Sequence, residues 1–178
     1  MRIGLIIFLL LLLASCGGGH RAARGGQQDQ LPGNSTGGQP AADPNAGNVH
    51  LTLTAEQDGS DWRINLIAPS ASDLYQIGGT LAFDSSKYEV VAVEAGGGLG
   101  QPENSYFVGK ETSPGRVAFA YTKRFYGAGS SGKLWLVSLR VHPRSTFNAA
   151  DFKLDENQKL MARDSKKRVM RVEVGGAQ

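Results

Sequence analysis

From residue 49 onward the chain alternates apolar and polar side chains with a period of two, and a segment patterned in that way buries one face only as a β-strand. Leu51 and Leu53 alternate with Thr52 and Thr54, and Trp62, Ile64, Leu66 and Ala68 alternate with Arg63, Asn65 and Ile67. The turn residues Gln57-Asp58-Gly59-Ser60 separate the two runs, so together they form a hairpin. A third strand is expected over residues 74–83, where Gly78-Gly79 interrupts the alternation and marks a bulge or a close approach of another segment. Asp84-Ser85-Ser86 then turns the chain into a fourth, over 88–93.

Glycines 96–98 and 100 with Pro102 make a long loop, and residues 105–110 read as a short strand beyond it. Ser113-Pro114-Gly115 turns into a further strand at 116–121. After a turn region at 127–132 comes the strongest strand, 133–141, with Trp135, Val137, Leu139 and Val141 expected on one face and Leu136, Ser138 and Arg140 on the other. Pro143 ends it. The tail contributes strands at 152–154, 159–162 and 168–174, the last two joined around the turn Asp164-Ser165. No stretch carries a sustained helical period, and residues 145–151 have room for a single turn. About eight or nine short, evenly spaced strands imply an all-β, jelly-roll-like β-sandwich, with one face of each sheet left for solvent or a partner.

The first residues follow a different rule. Arg2 precedes an unbroken apolar run from Ile3 to Ala14, which ends in Ser15-Cys16. A spanning helix needs about 20 apolar residues, whereas a secretory leader needs a basic start, roughly 7–15 apolar residues and small residues near its cleavage point. Leu13-Ala14-Ser15-Cys16 resembles the bacterial lipobox, in which the cysteine thiol receives a diacylglyceryl group and becomes residue one. Cys16 is the only cysteine, so it forms no disulfide within the chain. Several acyl chains on one residue anchor lastingly where one is marginal. The expected address is therefore the cell envelope, with the chain lipid-anchored to a membrane. Gly17 rather than Asp follows the cysteine, which under the enteric sorting rule implies the outer membrane or cell surface.

Residues 17–48 are Gly, Gln, Pro, Ala and Asn with almost no large apolar side chains, and they read as a disordered linker. Residues 49–178 are then one domain of ordinary size. That domain holds 16 of the 19 Lys and Arg and 14 of the 16 Asp and Glu, a net charge of 16 − 14 = +2. With no broad basic face and no interleaved aromatics, nucleic acid is not expected as a partner. Lys166-Lys167-Arg168 reads as a solvated turn.

Three stretches, taken in order, resemble the cohesin family, jelly-roll modules that bind dockerin domains on other proteins. Residues 74–96, LYQIGGTLAFDSSKYEVVAVEAG, look like the cohesin stretch in which a strand ends in an Asp-containing turn and a Glu-Val-Val strand follows. Residues 115–121 with the loop at 127–132 look like the middle strand and its glycine-rich exit. Residues 132–141 are similar to the family's Gly-x-Leu-Ala-x-Ile-x-Phe-x-Val strand, with Trp135 where a small residue is usual. The resemblance implies a non-catalytic module that binds a protein partner across one sheet. Carried onto matching positions, it points to Gln76, Thr80 and Ala82, to Ala118, Ala120 and Thr122, and to Leu136, Ser138 and Arg140. The alternative is a carbohydrate-binding module or a structural part of an envelope assembly.

Groups that could support chemistry do not converge. His20 lies in the linker, His50 starts a strand and His142 ends one, with no helical zinc spacing and no Gly-x-Ser-x-Gly elbow. Neither an enzyme nor a cofactor is expected. Asp151, Asp155, Glu156 and Asn157 offer oxygen ligands for calcium, but their spacing is not that of an EF-hand loop, and the bland reading is an acidic turn. Trp62 and Trp135 are expected in the core, whereas Phe125 and Tyr126, between Lys123-Arg124 and a glycine loop, are expected outside.

Overall fold

A computed structural model describes residues 41–155 and 157–175. Among the described residues the chain forms nine strands: β1 Asn48–Asp58, β2 Asp61–Ala82, β3 Tyr88–Ala95, β4 Ser105–Ser113, β5 Arg116–Lys123, β6 Ser130–Pro143, β7 Lys153–Leu154, β8 Met161–Asp164 and β9 Arg171–Val174. The expected all-β, jelly-roll-like sandwich is what the residues build. Cys16, the leader and most of the linker lie outside the described residues, as does His20.

The runs at 62–68 and 74–83 are two halves of one strand. The first half of β2 pairs antiparallel with β1 and β6, and the second half pairs with β5, β8 and β7. Between the halves the register slips twice, around Ala71, and Asp73 takes a left-handed φ of 59°. Pro69, which cannot donate to a ladder, lies in this bend. One layer is therefore β9-β1-β2-β6-β3, and the other is β8 and β7, then β2, β5 and β4.

The core lies between the layers. Leu51, Leu53, Ile64, Leu66, Leu139 and Val141 face Ile77, Leu81, Val117, Phe119 and Tyr121. One end is closed by aromatic rings, with Trp62 stacked on Phe147 at 3.8 Å and Tyr88 at 4.7 Å from Phe152. At the other end Leu99, fully buried, pins the glycine loop, and Tyr121 Oη donates to Gly100 O at 2.9 Å. Among the described residues every buried core residue falls between Val49 and Met170, so the compact unit Ser35–Gln178 holds a complete core of its own.

Gly78-Gly79 marks a close approach and not a bulge, since the register with β5 runs unbroken through it. A Cβ on Gly79 would lie 2.8 Å from Leu160 Cδ1 and 3.3 Å from Phe119 Cζ. The alternation expected for β6 fails at its start. Val137, Leu139 and Val141 are buried as expected, but Leu136 is 0% exposed and Trp135 is 47% exposed. The pairs Leu66↔Val137 and Ile67↔Trp135 leave Leu136 as the extra residue of a β-bulge, which inverts the facing of everything before it. Leu136 is thus a core residue, not an outward one.

Candidate functional site

The outer face of the β8-β2-β5-β4 layer is built in rows. Register sets Tyr106 opposite Thr122, Thr122 opposite Gln76, and Gln76 opposite Arg163. The next row is Val108, Ala120, Gly78 and Met161, and the third is Lys110, Ala118 and Thr80. Because side chains alternate along each strand, these positions share one surface while Phe107, Tyr121, Phe119 and Ile77 point into the core. The middle of the surface is therefore nearly flat, formed by Gly78, Ala118 and Ala120. Its rim carries the larger groups, with Tyr106 54% and Val108 40% exposed on the edge strand.

Five of the nine positions carried over from the resemblance, Gln76, Thr80, Ala118, Ala120 and Thr122, meet on this surface. The other four do not. Ala82 is 8% exposed, because its row partners Arg116 and Lys153 flank a methyl group with two long side chains. Arg116 also pairs with Asp155, whose backbone N–H donates to Thr80 O at 2.8 Å, so this end of the face is covered. Leu136 lies in the core. Ser138 and Arg140 belong to β6 and face outward from the opposite layer.

That opposite face is charged and paired within itself. Arg63 Nη2 donates to Asp58 Oδ2 at 2.7 Å, and Asp61 Oδ1 lies 2.8 Å from His142 Nδ1. Arg140 Nε reaches only 3.9 Å from Asp61 Oδ2. A partner docking there would have to compete with these contacts; on the flat face it would meet mainly backbone and methyl groups.

Sequence reading offers Tyr106 only as a ring that could stack on a sugar and passes over Val108 and Lys110, although a signal placing all three on this face exists. The tight Ser113-Pro114-Gly115 turn makes β4 the antiparallel partner of β5, so positions opposite Ala118, Ala120 and Thr122 follow by counting back across the turn. Met161 and Arg163 carry no such signal, since β8 joins β2 from far along the chain.

Of the acidic segment, Asp151 and Asp155 are engaged elsewhere, and Glu156 lies outside the described residues. Asp151 Oδ2 accepts from Tyr88 Oη at 2.8 Å and from Lys87 Nζ at 3.1 Å, and these contacts hold its carboxyl below the usual carboxylate range. Burial above all pushes the Tyr88 phenol up. Asp155 faces Arg116 and accepts from Asn157 N at 3.1 Å. Among the described residues no three His, Cys, Asp or Glu side chains gather as a metal site would require. The Lys166-Lys167 turn is exposed as expected, with Arg168 bound to Asp164 at 2.7 Å.

No family model and no curated protein matches this sequence. Solved structures do match. The sixth cohesin of scaffoldin B from Acetivibrio cellulolyticus, solved with a dockerin, aligns with a TM-score of 0.61 at 15% identity over 73% of this chain and 96% of that one. The seventh type I cohesin of ScaB from Pseudobacteroides cellulosolvens gives a TM-score of 0.61 at 14% identity, over 74% and 90%. A non-cellulosomal cohesin from the archaeon Archaeoglobus fulgidus gives 0.54 at 17% identity, over 72% and 88%. The fold of this chain is cohesin-like.

Proposed function

We propose that this chain is a non-catalytic binding module of the cell envelope. In this reading it is lipid-anchored through Cys16 and docks a protein partner, of dockerin type or similar, on the outer face of the β8-β2-β5-β4 layer. The observation that carries the reading is the flat strip of Gly78, Ala118 and Ala120 beside the exposed Tyr106 and Val108. Such a strip admits a partner's side chains or backbone closely, while its apolar edge supplies area to bury. Support for the partner class comes from solved structures of the same fold, several of which are cohesins held in complex with dockerins. A stable docking of this kind buries about 800 Å² on each side.

A sugar platform is less well supported. Trp62 is stacked inside on Phe147, and Trp135 faces outward from the β9-β1-β2-β6-β3 layer beside Lys133, so the two tryptophans form no common strip. The test is affinity capture on residues 35–178 from the secreted proteins of the native organism, followed by titration of the purified captured module. Saturable one-to-one binding of a protein module is expected. Binding of soluble polysaccharide in its place would overturn the reading.

A further inference from the structure

The end of the sandwich at which the chain enters carries a second exposed surface, at the loop that follows β5. β5 ends at Lys123 and is followed by Arg124, Phe125 and Tyr126. Phe125 is 64% and Tyr126 92% exposed, and no other large apolar side chain among the described residues is as exposed. The loop is held in place nonetheless. Arg124 N donates to Asn104 O at 2.9 Å, Tyr75 Oη to Phe125 O at 2.9 Å, and Gly129 N to Asp73 Oδ1 at 2.6 Å. Its rings are therefore displayed by a fixed backbone.

The same Asp73 binds a second loop. Its Oδ2 accepts from Ser165 Oγ at 2.7 Å and Ser165 N at 3.3 Å, which sets the 164–168 turn beside the aromatic loop. That turn presents Lys166 and Lys167, and Lys167 Nζ lies 5.6 Å from the Tyr126 ring centroid. Among the described residues Lys123, Arg124, Lys166 and Lys167 take part in no salt bridge. Of the acidic groups at this end, Asp164 is neutralised by Arg168, while Asp73, Asp43 and Glu103 keep their charge, Asp73 half-buried and held by Ser165 and Gly129 N. Two loops distant in sequence thus set two protruding rings beside the Lys166-Lys167 turn, with Lys123 and Arg124 directly preceding the rings in the chain.

The chain also enters here. Asp43 N donates to Val169 O at 2.9 Å, and a Cβ on Gly47 would lie 3.5 Å from Ser72 O and from Met170 Cε. Residues 43–47 therefore lie directly behind the basic turn.

We propose that this end rests on an anionic lipid bilayer, with Phe125 and Tyr126 at the depth of the headgroups and the four cations against lipid phosphates. Aromatic side chains favour that boundary because one end of the ring is apolar and the other is wet. Each lysine or arginine held near such a surface raises partitioning about fivefold. The contact sets the domain upright, leaving the flat sheet face at its side free for a partner. Its biological setting rests on the envelope reading above; the lipid affinity itself needs neither Cys16 nor a docked protein.

The test uses residues 35–178, without lipid, sedimented with sucrose-loaded vesicles of phosphatidylcholine alone or with about one third phosphatidylglycerol. Partitioning at least about tenfold stronger on the anionic vesicles is expected, weakening as salt is raised. Phe125→Ser with Tyr126→Ser, and separately Lys166→Glu with Lys167→Glu, each lower it by about tenfold or more, while Ser138→Glu on the opposite layer leaves it unchanged. Each variant is checked for an unchanged circular dichroism spectrum and urea midpoint, and a loop variant that loses its fold is replaced by Tyr126→Ser alone. Equal partitioning on both vesicle types, no partitioning by the wild type, or full partitioning by a folded aromatic variant would overturn the proposal. Each of those results leaves the docking face and the Cys16 anchor standing, since neither takes part.

Discussion

Leu136→Ala measures directly whether β6 carries the bulge. Leu136 is 0% exposed and belongs to the core cluster, and truncation of such a leucine costs about 2–5 kcal/mol, because the site loses transfer energy and retains a cavity. Complete enclosure puts the expected value at about 3–4 kcal/mol, a large share of the roughly 5–15 kcal/mol that holds a domain together. The urea midpoint of residues 35–178 should fall by about 1.5–2 M, and Tm by about 4 °C for each kcal/mol. Were the alternation unbroken, Leu136 would face outward with Ser138, and its truncation would stay within about 0.5 kcal/mol. A second readout comes from Trp135, which Trp62→Phe leaves as the only tryptophan. Its fluorescence should be readily quenched by iodide. A midpoint shift below about 0.3 M together with a shielded Trp135 would refute the bulge.

Three further outcomes follow from particular contacts. Gly59 and Gly115 share a left-handed φ, 65° and 75°, but a Cβ meets nothing within 4 Å at Gly59 and strikes the Phe83 carbonyl at Gly115. Gly115→Ala should therefore cost about 2 kcal/mol more than Gly59→Ala in urea unfolding, and equal costs would deny the close approach. Although burial alone would raise the Asp73 carboxyl, hydrogen bonds from Ser165 and Gly129 bring it below the ordinary value. An unfolded aspartate titrates near 3.9. The stability Asp73 confers is thus in place above about pH 4 and lost as pH falls through its folded pKa, and Asp73→Asn should flatten the acid limb of urea midpoint against pH. Cys16→Ser should release the protein from membranes without changing its circular dichroism, and retention in the membrane fraction would refute the lipid anchor.

Much of the fold was legible because the turns announce themselves. Asp58-Gly59 closes the β1-β2 hairpin, and Ser113-Pro114-Gly115 closes β4-β5. What alternation supplies is the face of a strand, not the sheet to which the strand belongs. Ser138 and Arg140 share the outward parity of Ala118 and Ala120 but not their layer, since β6 pairs with the first half of β2 and β5 with the second. The bulge at Leu136 left no mark in composition, because Leu134, Trp135, Leu136 and Val137 are all apolar and either parity satisfies the pattern. Ala82 was lost for a different reason. Its exposure depends on Lys153, which reaches the sheet some seventy residues later through β7. Phe125 and Tyr126 were legible as exposed because they sit between charges and a glycine loop, but their proximity to Lys167 is set by Asp73 and by no local pattern.

The most direct measurement is the affinity of the captured protein module for Ala120→Glu and for Ser138→Glu, by isothermal titration against residues 35–178. A carboxylate planted at Ala120 should cost at least about a hundredfold, since it buries an unpaired charge in the middle of the flat strip. The same change at Ser138 should alter affinity less than about threefold. Equal losses, or a loss confined to Ser138→Glu, would contradict docking on the β8-β2-β5-β4 face.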